Sequence, residues 1–237
     1  MTTRRKERLV KRFNPNFKKD FFQSINTPEK AYWLGYLYNL GHFRKDGFFF
    51  FEQNTKRDID SLFRFLEDID LVADVFYRRR NRTKGEVSST NFYVGFYCKE
   101  FTDGLFKYFP NGDSRLDDNQ RYPNIAPELN RHFIRGLFES LSSVTQTTNS
   151  GIPSYIIRLD GNYDMLRQIQ LILKEEAEVT SHLANRDTAN RFEHMITIQG
   201  RLTLPDLIIY LYNNVDSFNE RKSEQLMQVY NSLYPNN

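Results

Sequence analysis

Four histidines, one cysteine and several clusters of arginine, asparagine and tyrosine are the side chains of this sequence with chemistry to offer, and their spacing decides which chemistry. His42, His132, His182 and His194 are too scattered to form a metal-ligand motif; His132 and His194 read as core residues. Cys98 stands alone, so neither an intrachain disulfide nor a cysteine zinc cluster can form, and it reads as a small strand residue. No phosphate-cradling glycine loop, dinucleotide fingerprint or Ser-His-Asp arrangement appears, and no cofactor is called for. What remains is "RRRNRTK" at 78–84, which gathers five bases around a turn, and "NFYVGFYC" at 91–98, where Asn and Tyr alternate with apolar residues. Arg and Asn present paired hydrogen bonds to base edges, and Arg and Lys neutralise phosphates, so the chemistry on offer is nucleic-acid binding.

The charge distribution points the same way. Residues 1–120 carry 22 Lys/Arg against 17 Asp/Glu, whereas residues 121–237 carry 11 against 13, so the electrostatic attraction lies in the first half. Six of those bases fall in "TRRKERLVKR" at 3–12. At 237 residues and 39% hydrophobic, the chain can bury one large core or two cores of about 100 residues each. Its longest apolar runs, Phe48 to Phe51 and Leu207 to Leu211, are far short of the ~20 residues of a membrane span, and the basic start has no apolar stretch behind it. The expectation is a cytoplasmic protein with no membrane partner.

The elements that must position these residues repeat. Thr27, Pro28 and Glu29 open a helix to Asn39 with Gly41 as its stop. A hairpin turning at "KDG" follows, then a helix from Lys56 with Ile59, Leu62, Phe63, Leu66 and Ile69 at helical spacing. Two alternating strands, 72–82 and 88–98, meet at Thr83-Lys84-Gly85, and "KEFTDGLFKYF" closes with a helix. The second half restates the order: a helix from Pro127 to Leu141, a hairpin around Ser150-Gly151, the amphipathic "NYDMLRQIQLILKEEAE", strands in "VTSHLAN" and "RFEHMITIQ", and two closing helices. Between the halves lies a segment rich in Pro, Asn and Asp. The predicted organisation is a basic tail at 1–13, an αββαββα unit at 14–110, a linker at 111–126 and a second αββαββα unit with an added helix at 127–237.

Two helices of this duplication carry matching signatures, "AYWLGYLYNLGHF" at 31–43 and "HFIRGLFESLSSV" at 132–144. In order, spacing and signature the chain resembles the monomeric, two-repeat LAGLIDADG homing endonucleases, over nearly its whole length from about Asn14. The resemblance implies an α+β fold of tandem repeats forming a pseudo-two-fold saddle, with the two sheets in the DNA major groove and the two signature helices side by side. Gly35 and Gly136 then sit at the helix interface, where the missing Cβ permits close approach.

The resemblance also locates the family's metal-binding acid, one position before the signature's last small residue. In this chain those positions are Leu40 and Leu141. Leucine cannot ligate Mg²⁺, so the expectation is a degenerate, catalytically inactive relative without a metal site. Two such leucines are expected to pack across the helix interface where two carboxylates would repel. Glu139 matches another acidic signature position, and Tyr38 is its counterpart in the first copy.

Strand alternation assigns the groove-facing set. His42, Arg44, Arg78, Arg80, Arg82, Asn91, Tyr93 and Tyr97 are expected on the DNA side of the first half, opposite Ala73, Val75, Tyr77, Phe92, Val94 and Phe96. Arg158, His182, Arg186, Arg191 and Thr197 are expected there in the second. The functional expectation is a monomer that binds double-stranded DNA sequence-selectively, as a transcriptional repressor or regulator of a bacterium or phage. RNA binding of the maturase kind, or a protein interaction that blocks another nucleic-acid enzyme, are the alternatives.

Overall fold

The computed structural model describes residues 9–53, 56–80, 89–110, 121–149, 152–185, 194–215 and 219–234. It is an α+β protein with two four-stranded antiparallel sheets. The first contains β1 (Gly41–Phe43), β2 (Phe48–Gln53), β3 (Phe76–Arg80) and β4 (Ser89–Tyr97), in the order β1-β2-β4-β3. The second contains β5 (Ser143–Asn149), β6 (Ile152–Gly161), β7 (His182–Asn185) and β8 (His194–Gln199), in the order β5-β6-β8-β7. Identical strand order in both sheets, each with a helix between its second and third strands, is the duplication read from the sequence.

The helices are α1 (Pro28–Leu40), α2 (Ile59–Asp68), α3 (Lys99–Phe106), α4 (Asn130–Leu141), α5 (Tyr163–Ala177), α6 (Thr203–Tyr212) and α7 (Glu220–Leu233). Local chemistry sets their ends. The Lys30 N–H donates to Thr27 Oγ1 at 3.4 Å, and the N–H groups of Met165 and Lys222 donate to the caps Asn162 and Asn219. The first hairpin turns at Gly47, whose φ of +90° suits glycine, and Asp46 Oδ1 accepts from the Phe48 N–H at 3.1 Å. Helix α1 runs one residue past the expected Asn39, and Gly41 begins β1 instead of capping the helix.

The chain forms two compact units, Met1–Ser24 with Leu40–Asp113, and Ile25–Asn39 with Ser114–Asn237. Helix α1 therefore opens the first repeat in sequence but clusters with the second unit. The first unit's core is aromatic: Phe49 lies 4.9 Å from Phe96, 5.6 Å from Phe65 on α2 and 5.1 Å from Phe101 on α3. Under the second unit's sheet the core is aliphatic, with Ile157, Leu159, Ile196 and Ile198 buried along with the inner faces of α5, α6 and α7, whereas α1 and α4 bury Tyr32, Trp33, Tyr36, Phe133 and Phe138.

One strand is shorter than alternation predicts. Residues 72–75 are not in β3, because Asn14 ties down this stretch: its Nδ2 donates to the Asp70 carbonyl at 2.8 Å and its Oδ1 accepts from the Val72 N–H at 2.9 Å. Tyr77 shares the helix-side face with Phe92, its register partner, yet is 68% exposed rather than inward, since β3 is the edge strand of its sheet. Along the free part of β4, the Val10 N–H donates to the Gly95 carbonyl at 2.8 Å and extends the sheet by one bridge.

Candidate nucleic-acid interface

Helices α1 and α4 cross where the sequence places its paired glycines. A Cβ on Gly35 would stand 2.0 Å from the Phe133 carbonyl oxygen, and one on Gly136 would stand 2.0 Å from that of Tyr32. The contacts are reciprocal, backbone against backbone, so neither position admits any side chain. Past the crossing, Asn39 Nδ2 donates to the Ser140 carbonyl at 2.8 Å. All residues of α1 from Ala31 to Tyr38 are buried, whereas Leu40 and Leu141, at the ends of their helices, are both only half-buried.

The acid of this region, Glu139, is buried and already engaged. Its Oε2 accepts from the Tyr32 hydroxyl at 2.6 Å and from the Asn219 N–H at 2.6 Å, at the start of α7. Burial pushes its carboxyl up to about 7, against the opposing pull of those hydrogen bonds, of Arg135 and of the Tyr212 hydroxyl. Arg135 is itself buried, with its guanidinium 4.9 Å from the Tyr32 ring centroid, and burial lowers its pKa. Lys222 Nζ donates to the Ser142 carbonyl at 2.7 Å, and Asn219 Nδ2 to the Tyr36 hydroxyl at 3.0 Å. The carboxylate thus ties α1, α4 and α7 together. His132 is half-buried, and its Nδ1 has no hydrogen-bond partner among the described residues, which departs from a satisfied core histidine.

Leu40 and Leu141 carry no donor atom, Glu139 Oε2 is committed to two donors, and among the described residues no three His, Cys, Asp or Glu gather into a cation site.

The two sheets present very different faces away from their helices. In the first, the strand register sets out four rows: Phe48 with Tyr97, His42 with Phe50 and Gly95, Glu52 with Tyr93 and Phe76, and Asn91 with Arg78. Arg78 Nη2 and Asn91 Nδ2 both donate to the carboxylate of Glu52, which is 8% exposed, and the Arg78 guanidinium lies 5.3 Å from the Phe50 ring centroid. Asn91 and Tyr93, on the expected face by parity, are buried within it. His42 is half-buried, its ring 6.1 Å from that of Phe50. Arg44 is exposed, pairs with Asp46 at 2.8 Å, donates to the Tyr97 hydroxyl at 3.1 Å and stacks 4.5 Å from Phe48. Arg80 ends β3 opposite Ser89, and Arg82 lies outside the described residues.

The second sheet's face is polar. Ser143, Arg158, Thr197 and His182 line up as register partners across all four strands. Thr145, Ile156 and Gln199 form the next row, and Thr147 with Ser154 the one after. Arg158 Nη1 donates to Thr145 Oγ1 at 3.2 Å, and His182 is exposed. Arg186 and Arg191 lie outside the described residues. Sequence reasoning passed over Ser143, Thr145, Thr147, Ser154 and Gln199, although "SVTQTTN" is polar at every position but one, and it passed over Glu52, the one acid in the phenylalanine run.

Two four-stranded sheets of the same order and a glycine-on-backbone helix crossing define the class. The chain has the LAGLIDADG homing endonuclease fold, in its two-repeat form. No family model matches the sequence, and no curated protein matches it. Among solved structures, the chain is similar to the homing endonuclease I-WcaI bound to its DNA recognition sequence, with 15% identity, 84% of this chain and 89% of that one covered, and a TM-score of 0.54. It is also similar to meganuclease I-SmaMI bound to uncleaveable DNA, with 10% identity, 89% and 92% covered and a TM-score of 0.54. The LAGLIDADG homing endonuclease I-GzeII in complex with its DNA target shares 12% identity over 87% of this chain and 90% of its own, with a TM-score of 0.51.

Proposed function

We propose that this protein binds double-stranded DNA sequence-selectively and acts by occupying its site without cutting it, as a transcriptional repressor or regulator in the cytoplasm of a bacterium or a phage-infected cell. The observation that carries the reading is the pair Leu40 and Leu141: the fold is one whose solved examples hold DNA, and the two positions where cleavage needs a carboxylate hold side chains with no donor atom. DNA binding itself is supported by the polar row on β5, β6, β8 and β7, whose Arg158 and His182 can hydrogen-bond base edges in a major groove, and by the basic excess of residues 1–120, which favours phosphates. The working form is a monomer, since one chain carries both repeats.

Selection of bound sites from random duplexes, followed by a cleavage assay on the winning site with Mg²⁺ or Mn²⁺, tests both parts. A defined motif bound tightly and left intact is the expected result. Specific cleavage, or tighter binding to RNA than to any duplex, would replace this reading.

A further inference from the structure

The two sheet faces are not equivalent, and the difference bears on how a sequence could be read. Discrimination in a major groove needs side-chain donors and acceptors that can turn from the protein to a base edge. Arginine and asparagine are the types suited to guanine and adenine, and among the described side chains of the first unit's sheet face both are spent internally: Arg78 and Asn91 converge on the nearly buried Glu52. Turning either toward a base would strip a buried carboxylate of a partner. Around this cluster the face is built mostly of rings, Phe48, Phe50, Phe76 and Tyr93, with His42 half-buried against Phe50 and the Tyr97 hydroxyl accepting from Arg44, and Leu9 lies over Gly95 beside Phe50, its Cδ2 2.8 Å from where a Cβ on that glycine would be. Rings and aliphatic side chains offer a base edge little beyond contact with a thymine methyl. Arg44, the exposed guanidinium of this unit's hairpin, is paired with Asp46.

On the second unit's face the pattern inverts. Ser143, Arg158, Thr197 and His182 run across four strands with hydroxyl, guanidinium and imidazole groups, and among the described residues the one side-chain hydrogen bond within this row and the next is Arg158 to Thr145. Neither row holds a carboxylate; the acid of this face, Asp160, stands in the adjoining row opposite Met195.

We infer that sequence discrimination belongs to the second unit's sheet alone, with Arg158, Thr197 and His182 as its specificity-determining residues, and that the first unit contributes sequence-independent attraction only. The inference rests on the DNA-binding reading above. It departs from a duplicated fold in which each sheet reads its own half of the site.

Sites selected by the full chain should show one block of preferred base pairs, no longer than about 10, the length of one helical turn. Arg158→Ala should flatten preference at one or two positions in that block by roughly 5- to 150-fold, the range for one good base contact. Because removing Arg78 alone orphans Glu52, the control is the double variant Glu52→Gln, Arg78→Gln, which keeps neutral hydrogen-bonding partners in place; its selected motif should match that of the wild type. A second block of preferred positions, above all one that the double variant loses, would overturn the inference while leaving DNA binding intact. Equal binding to selected and random duplexes would overturn it as well. A folded chain that binds no duplex would instead remove the functional proposal beneath it.

Discussion

Replacing Glu139 with glutamine removes a carboxyl whose environment makes a definite demand on pH. In the unfolded chain it titrates near 4.5, and in the fold burial moves it to about 7. The folded state therefore holds the proton more tightly. The resulting stabilisation is complete below pH 4.5 and is lost as pH rises through 7, with a full span of about 3 kcal/mol. Between pH 8 and pH 5.5 the group should add about 2 kcal/mol. His132 works against it: burial holds its imidazole at about 4 against 6.5, so its contribution is present above 6.5 and is lost as pH falls, by about 1 kcal/mol at pH 5.5. The wild type should thus change little over this range while Glu139→Gln loses stability on acidification, because His132 is common to both. The measurement is chemical unfolding of both proteins at pH 8 and pH 5.5. The variant should gain about 2 kcal/mol relative to the wild type at the higher pH, which in thermal unfolding corresponds to about 4 to 8 °C in midpoint for a chain of this size. Parallel pH profiles for the two would refute the reasoning, since they would mean that Glu139 sits in water rather than between Tyr32 and Asn219.

Three further outcomes follow from the geometry. Gly136→Ala places a methyl 2.0 Å from the Tyr32 carbonyl oxygen, and the forced separation of α1 from α4 should cost about 3 kcal/mol or more in thermal unfolding, well above the ~1 kcal/mol alanine gains in helix propensity. Incubating the purified protein with its selected duplex and Mg²⁺ or Mn²⁺ should leave the DNA whole on a denaturing gel; cutting that disappears in Glu139→Gln would reveal a relocated ligand. Leu40→Asp with Leu141→Asp should lower the unfolding midpoint only modestly in the absence of divalent metal, by about 1 kcal/mol each, because both leucines are half-buried; an unchanged midpoint would mean that they lie in solvent.

Features that repeat at short range were legible in the sequence. The amphipathic spacing of α2 and α5, the Asp46-Gly47 turn and the doubled signature around Gly35 and Gly136 each depend on residues a few positions apart, and they led to the α+β tandem architecture directly. What depends on register across strands was not legible. Parity assigned Arg78 and Asn91 to the face away from the helices, but their capture by Glu52 requires β2, β4 and β3 to align side by side, and no local spacing encodes that. Tyr77 followed parity and still ended in solvent, since alternation says which face a residue takes and not whether anything covers it. The role of Glu139 was hidden for the same reason: its partners Tyr32 and Asn219 lie 107 and 80 residues away.

Helix α1 buries every residue from Ala31 to Tyr38, and its glycine meets the backbone of a helix that begins at Asn130. During synthesis this apolar segment leaves the ribosome roughly a hundred residues before α4 does, an interval of about 5 to 20 s at ordinary elongation rates. In the folded protein α1 clusters with the second compact unit, whose other residues begin at Ser114. A nascent chain therefore carries an oily helix without its partner for about two-fifths of its own translation, and the yield of native protein depends on what shields that helix until the second repeat arrives.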